Sequence, residues 1–403
     1  MELEVWNAFC DHMKDAGRAI VRPECPATPN DRAEGFRYLL GFLQSTLTGF
    51  LHNAGPEHPA FVRTMDDVVK FGLDAPDGVN SYSATVRDDL TYRIWGNAGT
   101  VHYVGWQLMA PGHGTLANLS LHDFDIEPDG SFEIVLSREP HEGNWVELPA
   151  GTTRIGMRQF QYDWEREQYA DVHIEAVDPP AGIPACLQQR PDPEQFSDAV
   201  RALGEQFAQM ADFWVDFVHD FRKDGDNIAP PAILNPTIGG SVLQKASNGY
   251  WLLGPEEVLL VEFEPPVGHY WSLCLGNFWF ETLELSHHQT SLNGHQAAVD
   301  DDGVCRIVIA HRDPGVANWL DTVGHDQGTM TFRWLLCDDA PEVRTTVVDV
   351  REVDDHLPSS TQRVTDNERT RTIAMRRAAV SRRFGLPLTT RWTPPAPLAG
   401  TDA

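Results

Sequence analysis

The chain has 403 residues, 41% hydrophobic and 10% aromatic, which suffices for two domains that each bury a core. Its 59 acidic and 31 basic side chains leave a formal charge of −28, which repels phosphate backbones and anionic lipid and argues against nucleic-acid or membrane-surface work. There is no apolar run of membrane-spanning length, the N-terminus is acidic and amphipathic rather than a signal peptide, and the six cysteines (Cys10, Cys25, Cys186, Cys274, Cys305, Cys337) are dispersed. These features predict a cytoplasmic protein with reduced thiols.

The first element is a helix, because Trp6, Phe9, Met13, Ala16 and Ile20 recur at steps of three and four. After Pro23, Pro26 and Pro29, Asp31 and Glu34 read as the start of a second helix to about Asn53, with Phe36, Leu39, Leu40, Leu43, Leu47 and Leu51 inward. Residues 1–60 are therefore expected to be an N-terminal helical segment that is structural. From about residue 80 the period changes to two. SYSATVRDDL, TYRIWGN, TVHYVGWQLM, SFEIVLS and TRIGMRQF are short strand-like runs with Asn97-Ala-Gly99 and Asp129-Gly130 as turns, and they predict an antiparallel sandwich over 61–180. Asp192-Pro193 opens a long helix whose apolar residues Phe196, Val200, Leu203, Phe207, Met210, Trp214, Phe217 and Phe221 alternate in steps of four and three; it is expected over 190–225 as a connector. A second β domain is expected over 240–350, with VLLVEFEPP, HYWSLCLGNFWF, CRIVIAHR and TMTFRWLLC as strands. A basic helix from Asp366 to Arg383 and the Pro-rich tail PLTTRWTPPAPLAGTDA complete the chain over 360–403.

One stretch is written twice. EPDGSFEIVLSREPHEGNW (127–145) and DDDGVCRIVIAHRDPGVANW (300–319) share Asp-Gly, then Ile-Val, a polar bend and Asn-Trp. Gly-Thr and an arginine-bearing run follow each copy (Arg158, Arg333), and a His-Tyr pair precedes each (His102-Tyr103, His269-Tyr270). A repeat of roughly 170 residues is too long for a solenoid and reads as two related domains. Asn318 and Trp319 have counterparts in Asn144 and Trp145, and so look like scaffold; Asp321 is answered by Glu147.

Chemistry concentrates in the second copy, above all in His287-His288-Gln-Thr-Ser-Leu-Asn293-Gly-His295. On a strand, His288 would face away from Asn293 and His295 unless Gly294 marks a bulge. A metal site would use His288 and His295 with Asp321 or Glu284. The chain has no zincin helix spacing and no cysteine pair, so no metal is expected, and no phosphate or dinucleotide loop points to a cofactor.

YWSLCLGNFWFETLE, SLNGH, IVIAHRDPGVANWLDT and GTMTFRW, together with FGLDAPDGVNSYSATVRDDLTYRIWGNAGTVHY in the first half, resemble bacterial proteins carrying domain of unknown function 1214. The resemblance spans about 60–345. It implies two jelly-roll-like β-sandwiches, similar in architecture to peptide-N-glycosidase F, and an oligomer, but no reaction. Tyr270, Asn277, His288, Asn293, His295, His311, Asp313, Asn318, Trp319, Asp321 and Arg333 belong to the shared motifs.

The chain is thus expected to be mainly β, with two tandem sandwiches, an N-terminal helical segment and a long linking helix. One functional expectation is a hydrolase- or lyase-type enzyme acting on a glycan-like or polyol small molecule in an aromatic-lined cleft of the second sandwich. Asp321 and Glu284 would be acid and base, His288 or His295 a proton shuttle, and Arg333 a charge stabiliser; Tyr270, Asn277, Trp279, Asn293 and His311 would bind substrate. The other expectation is a non-catalytic binder of an apolar ring such as a steroid or terpenoid. The apolar stripe of the long helix and the basic C-terminal helix also predict a homo-oligomer.

Overall fold

The structure, a computed structural model, describes residues 3–53, 55–66, 69–70, 76–178, 192–234 and 240–384; Cys186 and the Pro-rich tail lie outside the described residues. The chain begins with α1 (Leu3–Ala19) and α2 (Pro29–Leu51). α2 is capped by Thr28 rather than at Asp31: the Thr28 hydroxyl accepts from Asp31 N at 3.2 Å, the Asp31 carboxylate accepts from Thr28 N at 3.1 Å, and Pro29 fills the first turn. Its inward face is Tyr38, Leu39 and Phe42, whereas Phe36, Leu40 and Leu51 are exposed.

Two β-sandwiches follow. The first contains β1 (Val62–Arg63), β2 (Gly78–Thr85), β3 (Tyr92–Asn97), β4 (Tyr103–Met109), β5 (Thr115–Ser120), β6 (Ser131–Ser137), β7 (Trp145–Glu147), β8 (Arg154–Phe160) and β9 (Asp171–Ala176). Its sheets run β1-β2-β8-β4-β5 and β7-β6-β3-β9 and share one core, in which Trp106, Ile134 and Ile155 meet. α3 (Pro193–His219) leads to the second sandwich, made of β10 (Gln244–Leu252), β11 (Glu257–Phe263), β12 (Gly268–Gly276), β13 (Ser291–Asn293), β14 (Cys305–Ala310), β15 (Trp319–Asp321), β16 (Gln327–Cys337) and β17 (Arg344–Asp349). Its sheets run β10-β16-β12-β13 and β15-β14-β11-β17, around Trp251, Leu273, Ile307 and Phe332. α4 (Val353–His356) and α5 (Asp366–Phe384) end the described chain.

Strand for strand, the order β2-β8-β4-β5 matches β10-β16-β12-β13, and β7-β6-β3-β9 matches β15-β14-β11-β17. Among the described residues, pairing is antiparallel except for one parallel pair in each copy, β6 with β7 and β14 with β15. Asn-Trp explains that exception. Asn144 Nδ2 donates to Asp125 O (2.8 Å) and Glu133 O (3.0 Å), and Asn318 Nδ2 donates to the equivalent Ala298 O (2.7 Å) and Arg306 O (2.9 Å). The amide thus ties the returning chain alongside the strand it must join. Trp145 Nε1 donates to Ser137 Oγ, and Trp319 Nε1 to Ala310 O at the matching position. Gly130 and Gly303 both turn with positive φ (85° and 81°), which a side chain rarely tolerates.

The two sandwiches meet about an approximate two-fold axis. His102 Nε2–H donates to His269 O (2.7 Å), His269 Nε2–H donates to His102 O (2.8 Å), and the rings stack at 4.0 Å. Tyr103, Phe160, Tyr270 and Leu335 pack beside them. The apolar seam of α3 is covered within the chain: Phe207, Ala211, Val215, Val218 and Phe221 join Tyr38, Phe42, Tyr250 and Phe280 in one core. α5 docks through an apolar stripe, with Met375, Ala379, Val380 and Phe384 packed on Trp164 and Leu285, and through buried arginines on the same face. The fully buried Arg376 donates to Leu285 O, His288 O, Ser291 O and Ser291 Oγ, and its guanidinium lies 4.5 Å from the Trp164 ring centroid.

Candidate active site

Residues 277–290 connect the end of β12 to β13, and the last part of that loop, 284–290, is built around Glu284. The Glu284 carboxylate accepts from Ser286 N (2.9 Å) and His287 N (2.7 Å), and also from the Ser286 hydroxyl. Burial opposes ionisation, yet these donors hold the carboxyl below its usual range. Glu284 is therefore an ionised loop cap, not a proton donor.

The loop lies against β15. Asp321 N donates to Gln289 O (2.8 Å), and the Gln289 amide donates to Trp319 O (2.5 Å) and Ala317 O (3.0 Å). That frame brings His288 Nδ1 to 2.7 Å from Asp321 Oδ2, with the imidazole 38% exposed and the carboxylate 16% exposed. The hydrogen bond to Asp321 raises the His288 pKa above its ordinary value, helped by the charges of Asp321 and Glu284 and opposed by burial. With Nδ1–H given to the carboxylate, Nε2 is left as the proton acceptor, and among the described residues it has no partner. Asp321 Oδ1 also accepts from Val323 N (2.8 Å), and Val323 is a β-branched residue at φ 54°, a strained conformation of the kind that accumulates at functional sites.

The other expected residues are elsewhere. Asn277 builds a turn, its Oδ1 accepting from Trp279 N and Glu281 N and its Nδ2 donating to Glu281 Oε2 (2.9 Å). Trp279 is buried against α2, stacked on Tyr38 at 6.0 Å. His311 bridges Thr322 Oγ1 (2.8 Å) and Gly254 O (3.2 Å). The Trp and Phe residues that predicted an aromatic cleft fill cores: Trp251, Trp271 and Trp334 are inside the second sandwich.

Tyr270 and Asn293 belong to a buried interdomain cluster. Tyr270 Oη donates to Asp77 Oδ2 (2.5 Å), while Asn293 Nδ2 and Trp164 Nε1 each donate to Asp77 Oδ1 (2.7 Å). Burial raises the Asp77 pKa, although these donors and the Arg383 charge oppose the shift. His295 sits at its edge, 3.7 Å from Asp163 Oδ2 and beside Tyr162. Gly294 is required there, since a Cβ would fall 1.8 Å from the Tyr162 hydroxyl. Arg333 lies on the outer face of its sheet toward the first sandwich, with Nη1 3.3 Å from Cys274 Sγ. Asp77 and Arg376 were not foreseen. Asp77 gives no sequence signal, but Arg376 and Arg383 fall on the same helical face as Ala379, Val380 and Phe384, a spacing that marks inward positions.

Among the described residues no group of three or more His, Cys, Asp or Glu could hold a metal ion, and no helix is long and apolar enough to cross a membrane. Ten of the expected site residues, from Tyr270 to Arg333, fall inside the segment 242–338 that matches the model for proteins of unknown function DUF1214. No functionally curated protein matches the chain. Among solved structures, an uncharacterized protein from Burkholderia cenocepacia is 31% identical with a TM-score of 0.80, over 86% of this chain and 97% of that one. The VPA0106 protein from Vibrio parahaemolyticus is 12% identical with a TM-score of 0.43, over 83% of this chain and 100% of its own. With the family segment matched and a relative of this identity aligned over most of both chains, the chain belongs to the DUF1214 family.

Proposed function

We propose that the protein is an enzyme of hydrolase or lyase type that uses His288, oriented by Asp321, for proton transfer on a polar, glycan-like or polyol small molecule. The observation that carries this reading is the 2.7 Å bond from the half-exposed imidazole to a carboxylate, mounted on a buried frame. An imidazole with a free ring nitrogen, its pKa raised above the ordinary value by a carboxylate partner, can accept a proton from a hydroxyl or water and return it to a leaving group. Ionised Glu284 adds negative charge beside it and stabilises the imidazolium. Purified protein profiled on chromogenic glycosides, amides and esters should show an activity that His288→Ala and Asp321→Asn both remove; activity that survives both changes refutes the assignment.

A second reading, an apolar-ring binder, is supported by a groove of about 660 Å³ between α1 and α2, lined by Met13, Val21, Phe36, Leu40, Leu43 and Phe207. A lipid-extract binding screen with Leu40→Lys as the control separates the two readings. A cytoplasmic location and a homo-oligomer remain part of the proposal. The stripe of α3 no longer motivates the oligomer, but exposed Trp6, Phe36 and Leu40 do. A 45 kDa particle by light scattering at both low and high salt would dismiss it.

A further inference from the structure

The two copies of the repeat differ at one cross-strand pair. In the second sandwich Glu262 of β11 pairs with Arg306 of β14; in the first, the same place holds Trp95 of β3 opposite Glu133 of β6. The neighbouring Val261 and Ile307 face the core, so Glu262 and Arg306 point outward. Arg306 gathers three carboxylates: Nε donates to Glu262 (2.9 Å), Nη1 to Asp300 (2.7 Å) and Nη2 to Asp302 (2.7 Å). The turn that supplies two of them recurs in the first copy. Glu127 N donates to Ser131 O and Gly130 N to Glu127 O, as Asp300 N does to Val304 O and Gly303 N to Asp300 O. Glu127 and Asp129 thus answer to Asp300 and Asp302, but the guanidinium at their centre is replaced by the carboxylate of Glu133. The second copy carries its own cation at this place; the first keeps the acids without it.

A cavity of about 530 Å³ opens there on the first sandwich, lined by Trp95, Asp125, Glu127, Phe132, Glu133 and Glu142. Arg93 also borders it, but donates to Glu175 (2.8 Å) and Glu133 (2.9 Å). Among the described residues, Glu133 is the one of the four carboxylates with an ion pair. Trp95 is 37% exposed and is steadied by the His173 ring, stacked 4.4 Å away. The matching face of the second sandwich is closed instead: Val353 and Leu357 cover Val258, Leu260, Val308 and Ala310. With Arg93 and Ser137 where that face has Leu260 and Ala310, the first copy offers no such apolar seat. Its carboxylates are spread along the cavity, and among the described residues no group of three or more His, Cys, Asp or Glu could hold a metal ion. A spread set beside an indole suits a flat organic cation, whose edge meets carboxylates and whose face meets the ring. We propose that this cavity binds a small guanidino compound, its guanidinium taking the place of the Arg306 side chain between Glu127, Glu133 and Trp95, with Asp125 and Glu142 facing a second positive charge. The site shares no residue with the His288–Asp321 pair and lies on the other sandwich.

The test is calorimetric titration of the full-length protein with agmatine, and with putrescine as a dication of equal charge that lacks the guanidinium. At a fixed, near-physiological sodium chloride concentration, agmatine should bind at a single site with submillimolar affinity and about tenfold more tightly than putrescine. Glu133→Arg reinstates the internal cation of the second copy and should abolish agmatine binding. Glu127→Gln and Trp95→Leu should each weaken it about tenfold, one by removing a carboxylate and the other the stacking face. Trp95, Glu127 and Glu133 are exposed, so these variants should melt with the parent, and the loss of binding reads the site rather than the fold. His288→Ala should bind agmatine like the parent. No saturable agmatine binding, equal binding of putrescine, or undiminished binding by Glu133→Arg would mark a merely solvated acidic face and overturn the proposal. Loss of binding in His288→Ala would overturn its separation from the candidate dyad.

Discussion

His288 and Trp319 lie within one small region and do different work. Trp319 fills the junction of β14 and β15 and is covered by the Arg369 guanidinium at 5.2 Å, so Trp319→Ala should cost about 3–5 kcal/mol in urea denaturation. His288→Ala leaves that packing intact and should shift the denaturation midpoint little while removing activity. The pH behaviour follows from the direction of the His288 shift. Its pKa is raised in the folded state, so its stabilising contribution is fully present below the unfolded value of about 6.5 and is lost as pH rises through the folded value. An NMR titration should find His288 titrating above 6.5, and Asp321→Asn should bring it back down; an unchanged midpoint in that variant would remove Asp321 as the cause.

Among the elements, α5 shows how a helix can be placed by buried cations together with an apolar stripe. Arg376 satisfies carbonyls of the loop and of β13 that face the helix, and among them is His288 O, so the helix buttresses the candidate dyad from behind. Removing the guanidinium leaves buried carbonyls without a donor, at about 1–3 kcal/mol for each one left unsatisfied. Arg376→Ala should therefore release α5, seen as faster proteolysis between α4 and α5, and lower activity through misplacement of His288. Unchanged proteolysis would show that the apolar contacts of Ala379, Val380 and Phe384 suffice. α2 illustrates a smaller effect: Thr28→Ala removes the capping box and should cost about 1 kcal/mol.

Across the whole molecule the interdomain joint is polar and enclosed, with Asp77 at its centre. Burial holds the Asp77 pKa above its ordinary value, so the folded state binds a proton that the unfolded chain has released. Stability therefore falls as pH rises from about 3.9 through the folded value, and Asp77→Asn, which keeps the shape and the hydrogen-bonding oxygen, should flatten that slope. Equal slopes for the two proteins in chemical denaturation across pH 4–7 would contradict this.

The duplication was fully legible as a string, because Asp-Gly turns, alternating core residues and Asn-Trp each answer to local geometry repeated twice. Capped helices and paired strands need only neighbours in the sequence or the partner strand their own pattern prescribes, so helix, strand and repeat could be read without coordinates. The short strands β1, β5, β7, β9, β13, β15 and β17 escaped, since two to six residues with mixed polarity carry too little period, and so did the nine-residue β10, whose QKASNGYWL opens without an alternation of apolar and polar residues. The site divided differently. His288 and Asp321 were nameable from their residue types, but their contact depends on β15 entering its sheet parallel to β14. Tyr270 and Arg333 were assigned to that same cleft and instead face the other sandwich. Which outer faces meet depends on the packing of two complete domains, which involves Asp77, whose carboxylate partners lie 87 to 216 residues away, and Arg376, whose hydrogen-bond partners lie 85 or more residues away. No local pattern encodes such a contact, because burial of a charge is decided by what arrives to cover it.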